Sequence, residues 1–421
     1  MSQMKRTVRH GKTERGQAII LIVFSIIGLF GMTALAIDGG RAYLERRKTQ
    51  NTADAAALAG ALARIAGQGW REAALASALD NGYDNNGTTN TVELNTPPID
   101  GQYSNNPEYI QVIVTSHLNT FFGPVIGIRQ ITVASQAITR TKPAQYGQMF
   151  DGYALVSLAP HSKCNNKRGF WIHDEASILF YGGGLFVNSD NPTCAYMQQG
   201  SGSIRMMEEN LPFSIVGGAD IQNPRLHTPY PPQTGAIPMS YPPPYQMPKA
   251  GCGSKIAEVV GEEGTAMTPG NWDDDFPPKG VAHLESGVYC IGGDVLVESG
   301  EKLWGDKVVL VVDHGSVTIR GGASIKLTAP VSGDLKGLLI YMPLGNDKRL
   351  VLNGNFESEF KGTILAPSAA VLLNGLDTER GYKSQIIGYT FEVKGSDAIY
   401  IKYEDEQNYD AYRMPEILLT Q

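Results

Sequence analysis

The stretch Gln17–Ile37, QAIILIVFSIIGLFGMTALAI, decides how the rest of the chain is read. Its 21 residues carry no charge, and Gln17, Ser25 and Thr33 are its only polar side chains. A helix rises about 1.5 Å per residue, so this one spans about 30 Å, the thickness of a bilayer's hydrocarbon core. A core helix of a soluble domain would carry a polar stripe, and this run has none. The stretch therefore reads as a transmembrane helix. After it comes DGGRAYLERRKTQNTADAAALAGALARIAG from Asp38, without proline and of helical composition from Arg41 to Ile65. Ala55, Leu58, Ala61, Leu62 and Ile65 fall on one face at i, i+3, i+4 spacing, and Asn51 and Asp54 continue that face towards the membrane. Ala56 and Ala63 then lie on the opposite side. One long helix is expected, half in lipid and half projecting. Alanine buries little area alone, so the projecting half should pack closely on a sheet or a partner helix. Inside the membrane, Gly28 and Gly31 with Ala34 and Ala36 offer small surfaces for helix contact, and so for an oligomer through this helix.

Three motifs in fixed order carry a resemblance. Glu14–Ala18 (ERGQA), Asp38–Arg41 (DGGR) and Gln50–Ala61 (QNTADAAALAGA), with the apolar run between the first two, are similar to the N-terminal domain of TadG-like proteins. These belong to the tight-adherence (Tad/Flp) pilus-assembly group. The similarity covers roughly residues 14–65 and extends more weakly to 143, where Thr120, Phe121, Phe122, Gly127 and Ile128 match a T-F-F-x-x-x-x-G-I turn. The resemblance implies a membrane-anchored envelope protein of a pilus or secretion apparatus, partnered by the bilayer and by other assembly proteins, and no catalysis. The D-x-S-x-S motif of the von Willebrand A domain that many TadG-like proteins carry is absent from this chain.

With 421 residues the chain exceeds what one core organises, so two or more folded units are expected beyond the anchor. Residues 1–16 hold Lys5, Arg6, Arg9, Lys12 and Arg15 against Glu14. The chain carries −7 and this segment +4, so the remainder carries −11, which argues against a nucleic-acid partner. Counting basic residues places the N-terminus in the cytoplasm and the bulk outside, although Arg41, Arg46, Arg47 and Lys48 nearly balance the count. Two processing sites compete with an intact anchor: an A-x-A site at Ala34–Ala36, against which the long apolar run argues, and a prepilin-type cut after Gly16. The cut would leave Leu21 where pilins carry Glu.

Residues 38–66 continue the helix, and 67–143 read as a small α/β unit of pilin type. In it Trp70–Leu79 is helical, Tyr109–Thr115 and Ile131–Thr139 are strands, and Thr120–Ile126 is a helical turn. Thr141–Tyr146 is the expected linker. Residues 147–421 are rich in Gly, Asn and β-branched residues. Apolar runs recur there, among them Ile178–Ser189, Val308–Gly322, Arg349–Pro367, Ala369–Gly375 and Ser384–Gly395. The turn glycines Gly293, Gly322, Gly354, Gly375 and Gly395 recur at repeat-like spacing. The fold class read is α+β: a long transmembrane helix packed on a small sheet, then an all-β region forming a parallel β-solenoid, with a β-sandwich as the alternative. The run GTILAPSA at Gly362–Ala369 resembles late repeats in bacterial surface β-solenoids. Pro224–Pro248 holds 9 of the 24 prolines and so is no central strand. It reads as a surface excursion, with docking into a partner's aromatic groove as the sharper option. The tail from Tyr403 is expected to cap the last strand layer or fray.

Cys164, Cys194, Cys252 and Cys290 all follow the apolar helix, and an even number on one side suits two disulfides in an oxidising compartment. Three pairings are open. Cys164–Cys194 with Cys252–Cys290 closes the shorter loops and is preferred. A metal reading on His161, Cys164 and His173 lacks a second ligand pair. No phosphate loop, zinc-helix or nucleophile-elbow motif is present, so no catalytic, cofactor or metal residue is expected. Asp273–Asp275 reads as a solvated acidic turn, and His173–Asp174 has no nucleophile beside it. Trp171 and Trp304 keep glycan or cell-wall binding open, and a polysaccharide-acting enzyme is the remaining alternative.

Overall fold

The structure is a computed structural model that describes residues 15–165, 168–222, 231–261, 265–376 and 381–420. The basic segment up to residue 14 and the start of the proline-rich excursion, 223–230, lie outside the described residues. The chain forms two compact units, Met1–Ala144 with Pro415–Gln421, and Gln145–Met414.

In the first unit helix α1, Arg15–Ile65, runs unbroken for 51 residues. Its sequence holds no proline, and the Gly39–Gly40 pair weakens a helix by only about 1 kcal/mol per residue. Helix α2, Trp70–Asp80, follows, and Gly82 ends it with φ +91°. Four strands, Asn90–Asn95, Tyr109–Asn119, Gln130–Lys142 and Glu416–Thr420, form an antiparallel sheet in that order. The core between helices and sheet is built from Ala53, Ala56, Ala57, Ala74, Ala78, Tyr83, Ile110, Val112 and Val114.

The helix face expected from Ala55, Leu58, Ala61, Leu62 and Ile65 is rotated from the one that packs. Leu58 and Leu62 are 37% and 59% exposed and Ala55 is half-buried, while Ala53, Ala56 and Ala57 are fully buried; of the expected set only Ala61 is. Ala56 and Ala63, expected to face away, are buried as well. The reason is steric. A Cβ on Gly60 would stand 3.2 Å from the Trp70 carbonyl oxygen and 3.3 Å from the Ala74 Cβ, so this surface admits only small side chains and turns the leucines outward. Two boundaries also move. Thr141 and Lys142 end a strand and Gln145–Gln148 is another, so the linker is shorter than expected. The tail neither caps nor frays: Asp410–Arg413 pairs with Gln145–Gln148, and Glu416–Thr420 joins the sheet of the first unit.

The second unit is a many-stranded body in which pairing is parallel almost throughout, unlike the antiparallel sheets of a Greek-key sandwich. Its strand order departs from chain order. Leu155–Ser157, the first strand of its 16-stranded sheet in the chain, pairs in parallel with Ile386–Lys394, the last. From there the neighbours run outward through Leu185–Val187 and Phe213–Ile215 on one side. On the other side they run through Thr363–Asn374, Leu338–Tyr341, Val308–Val312, Gly287–Ile291 and Gly270–Trp272. The chain thus enters mid-stack, builds to one end, and resumes at the other end to build back to its starting point. Stacked rings close the seam: Phe170 lies 5.6 Å from Phe391 and 5.7 Å from Tyr196. Register partners Tyr289, Leu310, Ile340, Ile364 and Ile386 set the repeat, rather than the turn glycines.

Such a course requires a return path, and the described residues from 233 to 252 lie along it. Gln233–Thr234 pairs with residues 214–215, the Met239 N–H and carbonyl bond the Asn188 amide, and Tyr241 meets Ser368 and Tyr389. Tyr245 accepts the Phe150 N–H at 2.7 Å, and Cys252 is disulfide-bonded to Cys290. The strap explains a sequence pattern. Val308, Leu310 and Val312 enter the main core, while Val309 and Val311 enter a second cluster with Phe186, Leu365, Ile387 and Tyr245. Val308–Val312 and Leu338–Tyr341 are covered on both faces, so they read as unbroken apolar runs. In the 10-stranded sheet Lys302–Gly305 and Ala398–Lys402 alternate buried and more exposed residues, as strands with one wet face do.

Candidate functional site

Helix α1 changes character at Asp38. Up to that point its apolar side chains are bare: Leu21, Phe24 and Leu35 are 67%, 68% and 79% exposed. Among the described residues it is the one helix long and apolar enough to cross a membrane. From Asp38 onward the helix docks on its sheet through a polar side chain about once per turn. The Asp38 carboxylate accepts the backbone N–H groups of Phe121, Phe122 and Gly123 at 2.9, 3.0 and 2.8 Å. The Phe121 N–H, with those of Gly123 and Phe122 and the Arg41 guanidinium, holds this carboxyl below the ordinary aspartate value against the opposing effect of burial. Gly123 is required there, because a Cβ would stand 2.4 Å from the Ile128 carbonyl oxygen.

Arg41 donates to the Asn119 carbonyl at 3.1 Å and lies 4.3 Å from the centre of the Phe121 ring. One turn on, Glu45 Oε1 accepts the hydroxyls of Tyr83 at 2.9 Å and Ser116 at 2.7 Å. Burial, together with Glu45, pushes the Tyr83 phenol well above its ordinary value. Thr49 Oγ1 meets Ser135 Oγ at 2.8 Å, both groups buried. Asp38, Arg41, Glu45, Thr49 and Thr52 thus extend, at i+3 and i+4 spacing, the stripe that Ala53, Ala56 and Gly60 continue. The sequence reading missed this stripe. Its signal is the spacing of polar residues rather than of apolar ones.

The other expected residues fall as follows. Gly28 and Gly31 face open space. Cys164 pairs with Cys194 and Cys252 with Cys290, so Cys164 offers no thiolate to a metal. Among the described residues no three His, Cys, Asp or Glu side chains converge as a metal site. Asp273–Asp275 is exposed. His173 bonds Asp174 at 2.8 Å and Glu392 at 3.3 Å, and Glu392 also pairs with Arg349 at 3.1 Å and Lys394 at 3.6 Å. That cluster is electrically matched and has no nucleophile in it. Trp171 stacks on His173 at 3.7 Å and holds the Arg168 guanidinium 3.5 Å from its ring centre. Trp304 has one face on His283 at 3.7 Å and is 46% exposed, beside Lys302, Asp306, Lys326 and Glu359.

Residues 16–64 match the model of the Flp pilus-assembly TadE/G-like family. The N-terminal segment is TadE/G-like. This TadE/G-like segment is nearly coextensive with α1 and contains Asp38, Arg41, Glu45 and Thr49. The remainder of the chain lies outside the match. No curated protein and no solved structure matches the chain. Segment and apolar helix together fit a membrane-anchored pilus-assembly protein.

Proposed function

We propose that this is a single-pass structural protein of the cell envelope that acts in Flp-type pilus assembly or surface adhesion and performs no catalysis. Its N-terminus is cytoplasmic, and α1 lifts a rigid body off the membrane on the outer side. That body is a parallel β-solenoid, a reading supported by the in-register parallel neighbours and the two-sided apolar packing. The observation that carries the proposal is that a TadE/G-like match coincides with one helix, bare and apolar in its first half and docked on a sheet in its second. Two disulfides suit an oxidising outer compartment. Other envelope proteins are the partners, and the bare Gly28 and Gly31 surfaces leave room for a helix contact between copies.

Protease added to intact spheroplasts is expected to digest the body and leave a protected fragment of about 40 residues, the basic segment plus one bilayer-spanning helix. A fully protected body would reverse the orientation. Loss of surface appendages on deletion of the gene, restored by the full chain, is the matching result for assembly. The half-open face of Trp304 favours a second reading, glycan binding. Unchanged retention of a Trp304→Ala protein on cell-wall sacculi would end it.

A further inference from the structure

The turn after the Tyr109–Asn119 strand runs against the apolar half of α1. From Leu118 to Ile128, LNTFFGPVIGI, it carries no charge. Phe121, Val125, Ile126 and Ile128 are 69%, 56%, 50% and 48% exposed, four large apolar side chains left bare within eight residues. Its place along α1 is tied down at two points. Asp38, at the end of the apolar run, takes the N–H groups of Phe121, Phe122 and Gly123. The Phe122 ring lies 6.5 Å from that of Phe30, eight residues earlier in the helix and so about 12 Å along its axis. The turn therefore lies beside the last two turns of the apolar span.

Its backbone donors also find partners within the protein. Besides the three N–H groups held by Asp38, Thr120 N–H goes to the Arg129 carbonyl, Val125 to Phe122, Gly127 to Pro124 and Ile128 to Gly123. The Thr120 hydroxyl caps the Ile128 carbonyl at 2.6 Å, and Pro124 has no N–H to satisfy. Soluble surfaces leave loop backbone to water, whereas hydrocarbon demands that donors be paired within the protein. An exposed apolar patch of this kind marks an interaction site. Arg129, exposed immediately after the apolar turn, stands where a basic side chain can reach phosphate headgroups.

We propose that the Phe121–Ile128 turn is a second membrane contact, its apolar side chains seated among the acyl chains of the leaflet from which α1 emerges. Anchor and turn then form one wedge, held together by Asp38, and the first unit is fixed in orientation on the membrane rather than swinging on a single helix. The proposal rests on the membrane-anchor reading, and its test keeps the two apart.

The four native cysteines are disulfide-bonded, so a single introduced thiol can be labelled under non-reducing conditions. Full-length protein carrying Val125→Cys, Ile27→Cys or Ile99→Cys is labelled with an environment-sensitive fluorophore and reconstituted into phosphatidylcholine–phosphatidylglycerol vesicles, with or without acyl-chain bromination. Ile27 lies within the apolar span and Ile99 is an exposed loop residue of the same unit. The expected result is a blue-shifted emission at 125 that loses intensity in brominated vesicles, as at 27, while the label at 99 responds only to aqueous iodide. Iodide quenching at 125 without lipid quenching would overturn the proposal and leave the anchor standing. Quenching at 125 by neither agent would mean that protein, a second copy or a partner, covers the turn, and would overturn it too. Absence of lipid quenching at 27 would remove the anchor reading and the proposal with it.

Discussion

Asp38 shows how much one side chain can organise. A carboxylate accepting three consecutive backbone N–H groups fixes both the helix end and the turn opposite, and the pairing is charge-assisted. Because its folded-state acidity is raised, the sign of the pH dependence follows. The stabilisation is fully present above the unfolded-state value of 3.8 and is lost as pH falls through the lower folded value. We predict that Asp38→Asn lowers the unfolding midpoint of the first unit at neutral pH, since an amide offers one acceptor oxygen and no charge. The gap between variant and wild type should close as pH drops below 3.8, measured by thermal melts across pH. A gap that persists unchanged in acid would mean that Asp38 acts by packing alone. Both halves of this contact were visible in the sequence as separate motifs, DGGR and TFF–GI. Their meeting was not, because Asp38 and Phe121 stand 83 positions apart and no local periodicity reports such a contact.

At the scale of elements, α1 was legible as one long helix, and its buried face was not. Reading the largest side chains as inside places Leu58 and Leu62 in the core; the close approach of α2 and the sheet selects alanine, threonine and glycine instead. Ala56→Leu or Ala57→Leu is expected to destabilise the first unit by about 1–3 kcal/mol, the usual cost of overpacking. Leu58→Ala should stay within about 0.5 kcal/mol, as exposed substitutions do. Chemical denaturation followed by far-UV circular dichroism compares them; equal effects at 56 and 58 would refute the assignment of faces. In the second unit the apolar runs correctly announced strands, and among the described residues the proline-rich segment holds no central strand, its Gln233–Thr234 pairing standing at the end of the sheet. Its role as a strap was hidden, because nothing local says that the first and last strands of the region are neighbours. Removing the Cys252–Cys290 bridge by a double serine substitution should cost about 2–5 kcal/mol. It should also make the stretch between 236 and 256 the first site of limited proteolysis. Cleavage elsewhere first would show that the strap is held by Tyr245 and its neighbours without the bridge.

At the scale of the whole molecule, the order of pairings makes the second unit an insertion within the sheet of the first. Lys142 lies opposite Glu416 in that sheet, so the chain leaves and returns on adjacent strands. In the second unit the incoming Gln145–Gln148 strand pairs with the outgoing Asp410–Arg413 strand, and Arg413 also bonds Asp151 at 3.1 Å. Each unit therefore presents its two chain ends side by side, the arrangement in which domain insertion is tolerated. Closing a loop of any length between adjacent strand ends costs little more for a long insert than for a short one, since the entropy grows only with the logarithm of length. The last strand is needed by the first unit: Leu419 packs on its core, and without residues 415–421 the Gln130–Lys142 strand becomes an open edge. Two altered chains test this. Residues 145–414 expressed alone in an oxidising compartment should fold as a soluble body with four unreactive cysteines and one cooperative transition. Replacing 145–414 by a short Asn-Gly turn should leave the first unit folded in detergent, whereas truncation after Met414 should promote its aggregation. A body that remains unfolded without residues 15–144, with its thiols open to labelling, would show that the two units fold as one, and the insertion account would fail.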